Sequence, residues 1–292
     1  MKVAVYSRTF DQTFLHHIKD FFNWLNEYGF EVYVFNEFLA YLEDRFNYRP
    51  AYTDTFHGYR DIRGDMDFVV SIGGDGTFLD TVSLVRDTGI PVIGINSGKL
   101  GFLASISKED IHQAIDSIYR GNYTAEDRSL LSVDSDDKLF DGCGYALNDI
   151  TIQKKKSEMI TIQVYLNGSF LNTYWADGLI IATPTGSTAY SLSVGGPIVL
   201  PNSHNFIISP ISPHNLTVRP IVVPDDSHIL LKPEGRCSRY LVSMDHRSQV
   251  IERSANIHVR KASFAMKVLR LNDTSFYSTL RSKLMWGVDK RN

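Results

Sequence analysis

The sequence predicts an α/β protein in two parts: a doubly wound, Rossmann-like nucleotide-binding sheet over residues 1–127 and an all-β, sandwich-like domain over 128–271. Three observations carry this. Up to about residue 125, short apolar runs alternate with amphipathic stripes, the rhythm of parallel strands joined by crossover helices. Beyond 128, helical stripes nearly vanish and period-two alternation takes over. After 271 helical spacing returns at Phe276, Leu280 and Leu284, so a C-terminal helix within 272–292 is expected to pack back on the first domain.

The first strand falls at residues 3–6, a compact apolar run. Phe14, Leu15, Ile18, Phe21, Phe22 and Leu25 then recur at helical spacing, and Gly29 ends them as a C-terminal glycine. Residues 31–35, 68–72 and 92–95 are β-branched or aromatic runs of the kind that parallel sheets bury. Phe78, Leu79, Val82 and Val85 form a second helical stripe, closed by Gly89. Residues 108–120 form a third, with Ile111, Ala114, Ile115 and Ile118 inward. In the second domain Ile160, Ile162, Val164 and Leu166 alternate with Thr161, Gln163 and Tyr165 ahead of Asn167-Gly168, a strong hairpin signal. Further strands are expected at 179–182, 206–209, 228–231, 240–244, 257–261 and 266–271, with proline-rich connections through 197–224.

Composition narrows the function. With 292 residues and 43% apolar content the chain can bury two cores of ordinary size. A net charge of −3 argues against a nucleic-acid partner bound by bulk charge. The one dense basic run, Lys154-Lys155-Lys156, reads as a solvated strand end. Cys143 and Cys237 lie far apart, which fits neither a zinc ribbon nor a disulfide framework. No targeting pattern precedes the first strand and no apolar run reaches the roughly 18 residues of a membrane span, so a cytoplasmic protein without a membrane partner is expected. The nine histidines hold no His-x-x-x-His pair, and Asp134, Asp136 and Asp137 lack the glycine and terminal glutamate of a calcium loop. No residue is assigned as a metal ligand.

The chemistry is concentrated in a few segments. Gly73-Gly74-Asp75-Gly76-Thr77 ends a buried run in three glycines around one carboxylate. Bare N–H groups feeding a helix N-terminus make an anion site. A carboxylate inside an anion site makes sense if it handles a proton or a metal beside a phosphate; otherwise Asp75 merely caps the next helix. Residues 96–102 follow the next strand and offer a mobile glycine-rich backbone with Phe102 as an aromatic face for a purine. Asn148-Asp149 interrupts a strand-like run with an amide and a carboxylate suited to ribose hydroxyls, although such a pair alone is usually a turn. Residues 183–193 carry seven hydroxyls in eleven positions, flanked by Asp177-Gly178 and by Gly195-Gly196-Pro197. Such a segment can hydrogen-bond a polar ligand densely, with Tyr190 as a stacking face, or serve as a rigid turn.

Taken together, residues 73–77, 96–102, 147–149, 177–193, 195–197, 213–216 with Arg219-Pro220, and Asp245 resemble the NAD kinase family over about three-quarters of the chain. The Gly-Gly-Asp-Gly element is shared with diacylglycerol kinases, sphingosine kinases and phosphofructokinases; the 184–193 run is more discriminating. The resemblance implies phosphoryl transfer from ATP to the adenosine-ribose 2′-hydroxyl of NAD, giving NADP. Mg²⁺ is expected as cofactor, because no lysine or arginine sits in the glycine turn to neutralise a triphosphate, and a homo-oligomer, dimer or tetramer, is the expected assembly. The resemblance implies Asp75 as catalytic base and Gly76 as its ligand-contacting neighbour. Phe102 would flank adenine, Asn148 and Asp149 would hold a ribose or the base, and Asp177 would contact the nicotinamide half. Thr188, Ala189, Tyr190, Ser191, Leu192 and Ser193 would line the dinucleotide groove. The match departs at Asp149, where most relatives carry glutamate, and at His246, where many have glycine. A Gly-Gly-Asp-Gly lipid kinase and a non-catalytic dinucleotide sensor are the alternatives; no basic amphipathic surface favours the first, and Asp75 disfavours the second.

Overall fold

A computed structural model describes residues 1–62, 65–98, 101–135, 139–140, 143–155, 159–234, 239–252, 255–271, 275–285 and 287. Expectations placed on Lys99, Leu100, Asp136, Asp137, Lys156, Cys237 and residues 272–274 therefore lie outside the described residues. The chain divides into two compact units, residues 1–127 with 266–292, and residues 128–265.

The first unit contains β1 (Lys2–Ser7), α1 (Leu15–Glu27), β2 (Glu31–Phe35), α2 (Asn36–Phe46), β3 (Asp54–Phe56), β4 (Phe68–Gly73), α3 (Asp75–Val85), β5 (Val92–Asn96) and α4 (Ile111–Tyr119). Its strands are parallel in the order β5-β4-β1-β2-β3. The order reverses between β1 and β4, the switch point at which doubly wound sheets bind ligands beyond the strand ends. The crossover helices bury most of the predicted stripes: Ile18, Phe21, Phe22 and Leu25 on α1, Phe78, Val82 and Val85 on α3, and Ile111, Ala114, Ile115 and Ile118 on α4, with Leu15 and Leu79 half-buried. The sequence reading omitted α2 and β3. Helix α2 starts at the residue after β2 with no turn signal between them, although Phe38, Leu39 and Leu42 are buried on one face and Asn47 closes it in a left-handed conformation. Three residues of β3 are too few to show a period.

The second unit holds most of β6 (Tyr123–Ser135), then β7 (Tyr145–Ala146), β8 (Asp149–Lys154), β9 (Ile160–Leu166), β10 (Ser169–Ala176), β11 (Gly178–Ala182), a short α5 (Tyr190–Ser193), β12 (Asn205–Ile211), β13 (Ile221–Pro224), β14 (Ile229–Glu234), β15 (Arg239–Met244), β16 (Arg247–Glu252) and the start of β17 (Ile257–Leu271). One antiparallel sheet runs β13-β12-β11-β8-β15-β16; the facing strands include β10-β9-β14-β17. Ile152, Leu179, Ile208 and Val242 from the first share one core with Ile162, Val164, Ile229 and Ile257 from the second, as a sandwich requires. Asn167 and Gly168 take φ values of 52° and 81°, the left-handed pair a two-residue hairpin needs. Residues 257–261 and 266–271 form one strand rather than two, because residues 262–265, Ala-Ser-Phe-Ala, contain no turn former. β17 pairs through Ile257–Val259 with β14 and through Val268 with β5, after which α6 (Phe276–Leu284) follows in the first unit.

Both faces of β11 are covered. Leu179 and Ile181 enter the main core, while Ile180 and Ala182 meet Ile207, Ile211, Val194 and Val199. That second cluster fastens the segment after β11 across the outer face of its sheet.

Candidate active site

In the first unit the glycine turn leaves β4 at the switch point. Register pairs Ser7 with Ile72 and Gly73 with Asn96, so the ends of β1, β4 and β5 lie side by side. Gly74 occupies the N-cap of α3 without a side-chain cap, and Asp75 is the first helical residue. A side chain at Gly73 would meet Thr77 Oγ1 at 2.3 Å, so only glycine allows the turn to close this tightly. The first-turn N–H groups of an α-helix have no intrahelical acceptors, and those of α3 follow the turn directly.

Asp75 does not cap its own helix. Its Oδ2 accepts from Phe102 N at 2.9 Å, and Oδ1 accepts from Leu103 N at 3.0 Å and Ala104 N at 2.9 Å. Three donors occupy three of about four lone-pair sites, leaving one on Oδ2. A Cβ at Gly101 would lie 1.7 Å from Asp75 Oδ1, so the loop reaches the carboxylate only because residue 101 has none. The expectation of a mobile loop needs correction for its described part. Gly101 N donates to Ala104 O at 3.1 Å, Ile106 bridges to Ile95, and a Cβ at Gly94 would lie 2.7 Å from Ala104 Cα. Phe102 is half-buried with its ring centroid 6.4 Å from that of Phe276.

A cationic group missed by the sequence reading follows β1. Arg8 grips the buried Asp80 through Nε–Oδ2 at 2.7 Å and Nη2–Oδ1 at 2.8 Å, and Tyr6 donates to Oδ2 at 3.2 Å. Burial pushes the Tyr6 hydroxyl up to about 12. Distance in sequence, 72 residues between Arg8 and Asp80, hid this group.

In the second unit, Leu147 and Asn148 turn between β7 and β8, and Asp149 opens β8. Asp245, in the tight turn between β15 and β16, has φ 52°. Its Oδ2 accepts from Leu147 N at 2.9 Å, and its Oδ1 accepts from Asn148 N at 2.7 Å and Asp149 N at 3.2 Å. The carbonyls are taken as well: Leu147 O by Thr183 Oγ1 at 2.5 Å, Asn148 O by Thr183 N at 2.9 Å, and Asp149 O by Asp245 N at 2.9 Å. Asp149 is 5% exposed and its carboxylate makes no hydrogen bond to the described residues. Burial, reinforced by the neighbouring Asp245 charge, pushes its carboxyl up to about 7. Burial also raises the Asp245 carboxyl, against the pull of its three backbone donors.

The hydroxyl-rich turn lies on this element. A Cβ at Gly186 would fall 2.0 Å from Asn148 O, so glycine permits the approach. Here the reading that the hydroxyls serve a ligand is corrected for three of the seven. Thr183, Ser187 and Ser191 are fully buried, bonding Leu147 O, the Val199 backbone and Ser209 Oγ respectively. Ser191, expected to line the groove, therefore anchors the turn from inside. Thr188, Ala189 and Leu192 are half-buried, and Ser193 and Tyr190 are exposed. Tyr190 keeps 39% of its surface open and accepts a hydrogen bond from Gln153 Nε2 at 3.0 Å. Asp177 receives Lys154 Nζ at 2.5 Å, so Lys154 is an ion-pair partner rather than a solvated strand end.

Solved structures share this architecture. Yeast NADH kinase complexed with NADH superimposes with a TM-score of 0.88 at 24% identity, covering 99% of this chain and 88% of that one. An NAD kinase from Archaeoglobus fulgidus in complex with ATP gives 0.74 at 26% identity, covering 98% and 99%. The fold is that of the dinucleotide kinases. The ATP-NAD kinase N-terminal domain family matches residues 7–123, and the ATP-NAD kinase C-terminal domain family matches residues 147–271. NAD kinases of Cytophaga hutchinsonii and Bacteroides fragilis are 41% and 44% identical over the full length of both chains. The chain belongs to the NAD kinase family.

Proposed function

We propose that this protein transfers the γ-phosphoryl group of ATP to the 2′-hydroxyl of the adenosine ribose of NAD, yielding NADP and ADP. The observation that carries the reading is Asp75, fixed by three backbone N–H groups beside a helix N-terminus and keeping one lone pair on Oδ2. That lone pair takes the ribose proton as the O2′–Pγ bond forms and the bond from Pγ to the departing ADP oxygen breaks. The first-turn N–H groups of α3 hold phosphate oxygens, Gly76 keeping the approach open. In the second unit Asn148 and Asp149 hydrogen-bond ribose hydroxyls or a base edge, Asp177 orients the nicotinamide half, and Thr188, Ala189, Tyr190, Leu192 and Ser193 form the groove wall with Tyr190 as its apolar face. Phe102 lies against the adenine.

Mg²⁺ is part of this reading. No group of three metal-binding side chains occurs among the described residues. Such a set is not needed, because Mg²⁺ is commonly held by substrate phosphates, water and one or two carboxylates. The remaining lone pair of Asp75 is kept for the ribose proton, so the ion would be held by the substrate phosphates and water near the turn, and would supply neutralisation of the triphosphate. A homo-oligomer, dimer or tetramer, in the cytoplasm completes the proposal. No helix among the described residues is long and apolar enough to cross a membrane.

The test is NADP formation from NAD and Mg-ATP by the purified chain, with EDTA and diacylglycerol arms. NADP should form, chelation should abolish it, and diacylglycerol should remain unphosphorylated. Failure to make NADP with magnesium present would overturn the reading.

A further inference from the structure

We propose that Asp245 is a positioning residue for dinucleotide recognition: its carboxylate fixes the turn at residues 147–149 so that the Asn148 and Asp149 side chains are presented to the ligand. The proposal rests on the reading that this turn holds NAD.

All six backbone donors and acceptors of Leu147, Asn148 and Asp149 are engaged, the three N–H groups by the Asp245 carboxylate and the three carbonyls by Thr183 and by the Asp245 N–H. The side chains of Asn148 and Asp149 make no hydrogen bond to the described residues. A segment whose backbone is satisfied within the fold while an amide and a carboxylate stay unpaired is built to hold those two groups for something else. A merely structural turn would spend them. The cost of the arrangement points the same way. Asp245 adopts a left-handed backbone, unusual for a residue other than glycine. It also brings a second carboxylate close to Asp149, whose carboxyl its charge helps to raise. A fold seeking only stability would have placed a neutral acceptor there.

One oxygen of Asp245 serves Asn148 and Asp149 while the other serves Leu147, and this division makes the test specific. In Asp245→Asn the carbonyl can keep the first pair, but the amide then turns an N–H toward the Leu147 N–H. In Asp245→Ala all three donors lose their acceptor. Asp245→Glu keeps charge and acceptors, displaced by one methylene.

The experiment measures kcat and KM for NAD and for ATP in the wild type, Asp245→Asn and Asp245→Glu, with calorimetric NAD binding and amide exchange at residues 147–149 in the free proteins. In Asp245→Asn the KM and Kd for NAD should rise about tenfold, the scale of one lost or opposed hydrogen bond. The KM for ATP and kcat should stay within about a factor of three, and exchange at residues 147–149 should quicken. Asp245→Glu should recover part of the NAD affinity. Unchanged NAD binding, or equal loss for both substrates, overturns the proposal. Should Asp245→Asn fail to fold, Asp245→Glu carries the same comparison. A wild type that binds NAD without making NADP overturns the kinase reading alone, since the binding and exchange arms still decide the role of Asp245.

Discussion

Asp75 and Asp149 are carboxylates with opposite surroundings. Asp75 is enclosed by backbone donors, whereas Asp149 is buried with none. Asp75→Asn should lower turnover on the order of 10²–10⁴, the range for losing a general base, with a modest change in NAD affinity. The amide also turns N–H toward one of the three loop donors, so melting should fall, by roughly 1–3 kcal/mol of stability. Steady-state kinetics checks the first effect; near-normal turnover would remove Asp75 from the base role. For Asp149 the sign follows from proton counting. Its carboxyl titrates at about 7 in the fold, against an ordinary carboxylate value in the unfolded chain. The folded state therefore holds more protons between those values, and the contribution of this group to stability falls as pH rises from about 4 through about 7. Asp149→Asn removes the titration. Relative to the wild type it should gain roughly a few kcal/mol between pH 4 and pH 8, read from urea melts at several pH values. Parallel curves for the two proteins would contradict the assignment.

Among the elements, the glycine turn was the most legible, because its chemistry is local: consecutive glycines after a buried strand can be read without knowing what packs on them. The hydroxyl-rich turn was legible as a feature, but not which of its hydroxyls point inward. Which way a hydroxyl points depends on how the segment is fastened over β11, and Val194, Val199 and Ser209 decide that from a distance. Tyr190 stays open, and a test at this scale follows. Tyr190→Ala should reduce NAD affinity by roughly 1–3 kcal/mol, the penalty for losing a base-stacking aromatic. Melting of the ligand-free protein should change less, because the ring is 39% exposed and gives up only part of its burial. A collapse in melting temperature with unchanged calorimetric affinity would make Tyr190 a packing residue instead.

Across the whole molecule, the change from helical to two-residue period located both architectures, since burial on one face imposes its period on any sequence. Elements without that imprint escaped. β6 carries Glu126 and Asp127 amid its run, and α2 adjoins β2 without punctuation. Long-range polar groups escaped for a different reason. Asp245 stood out as a match to relatives, but its partner Leu147 lies 98 residues away, and no local pattern encodes such a pairing.

The pairing of Val268 with Val92 places β17 beside β5 in the first unit. On the ribosome these two residues emerge far apart in time. At about 5–20 residues per second, β5 waits on the order of ten seconds or more for its last neighbour. Throughout that interval the parallel sheet presents the start of β5 around Val92, the part that the Ile106 bridge does not cover, as an unprotected edge able to join another extended chain. The nascent protein is thus open to edge-to-edge aggregation until Val268 emerges, and chaperone dependence should concentrate in that interval.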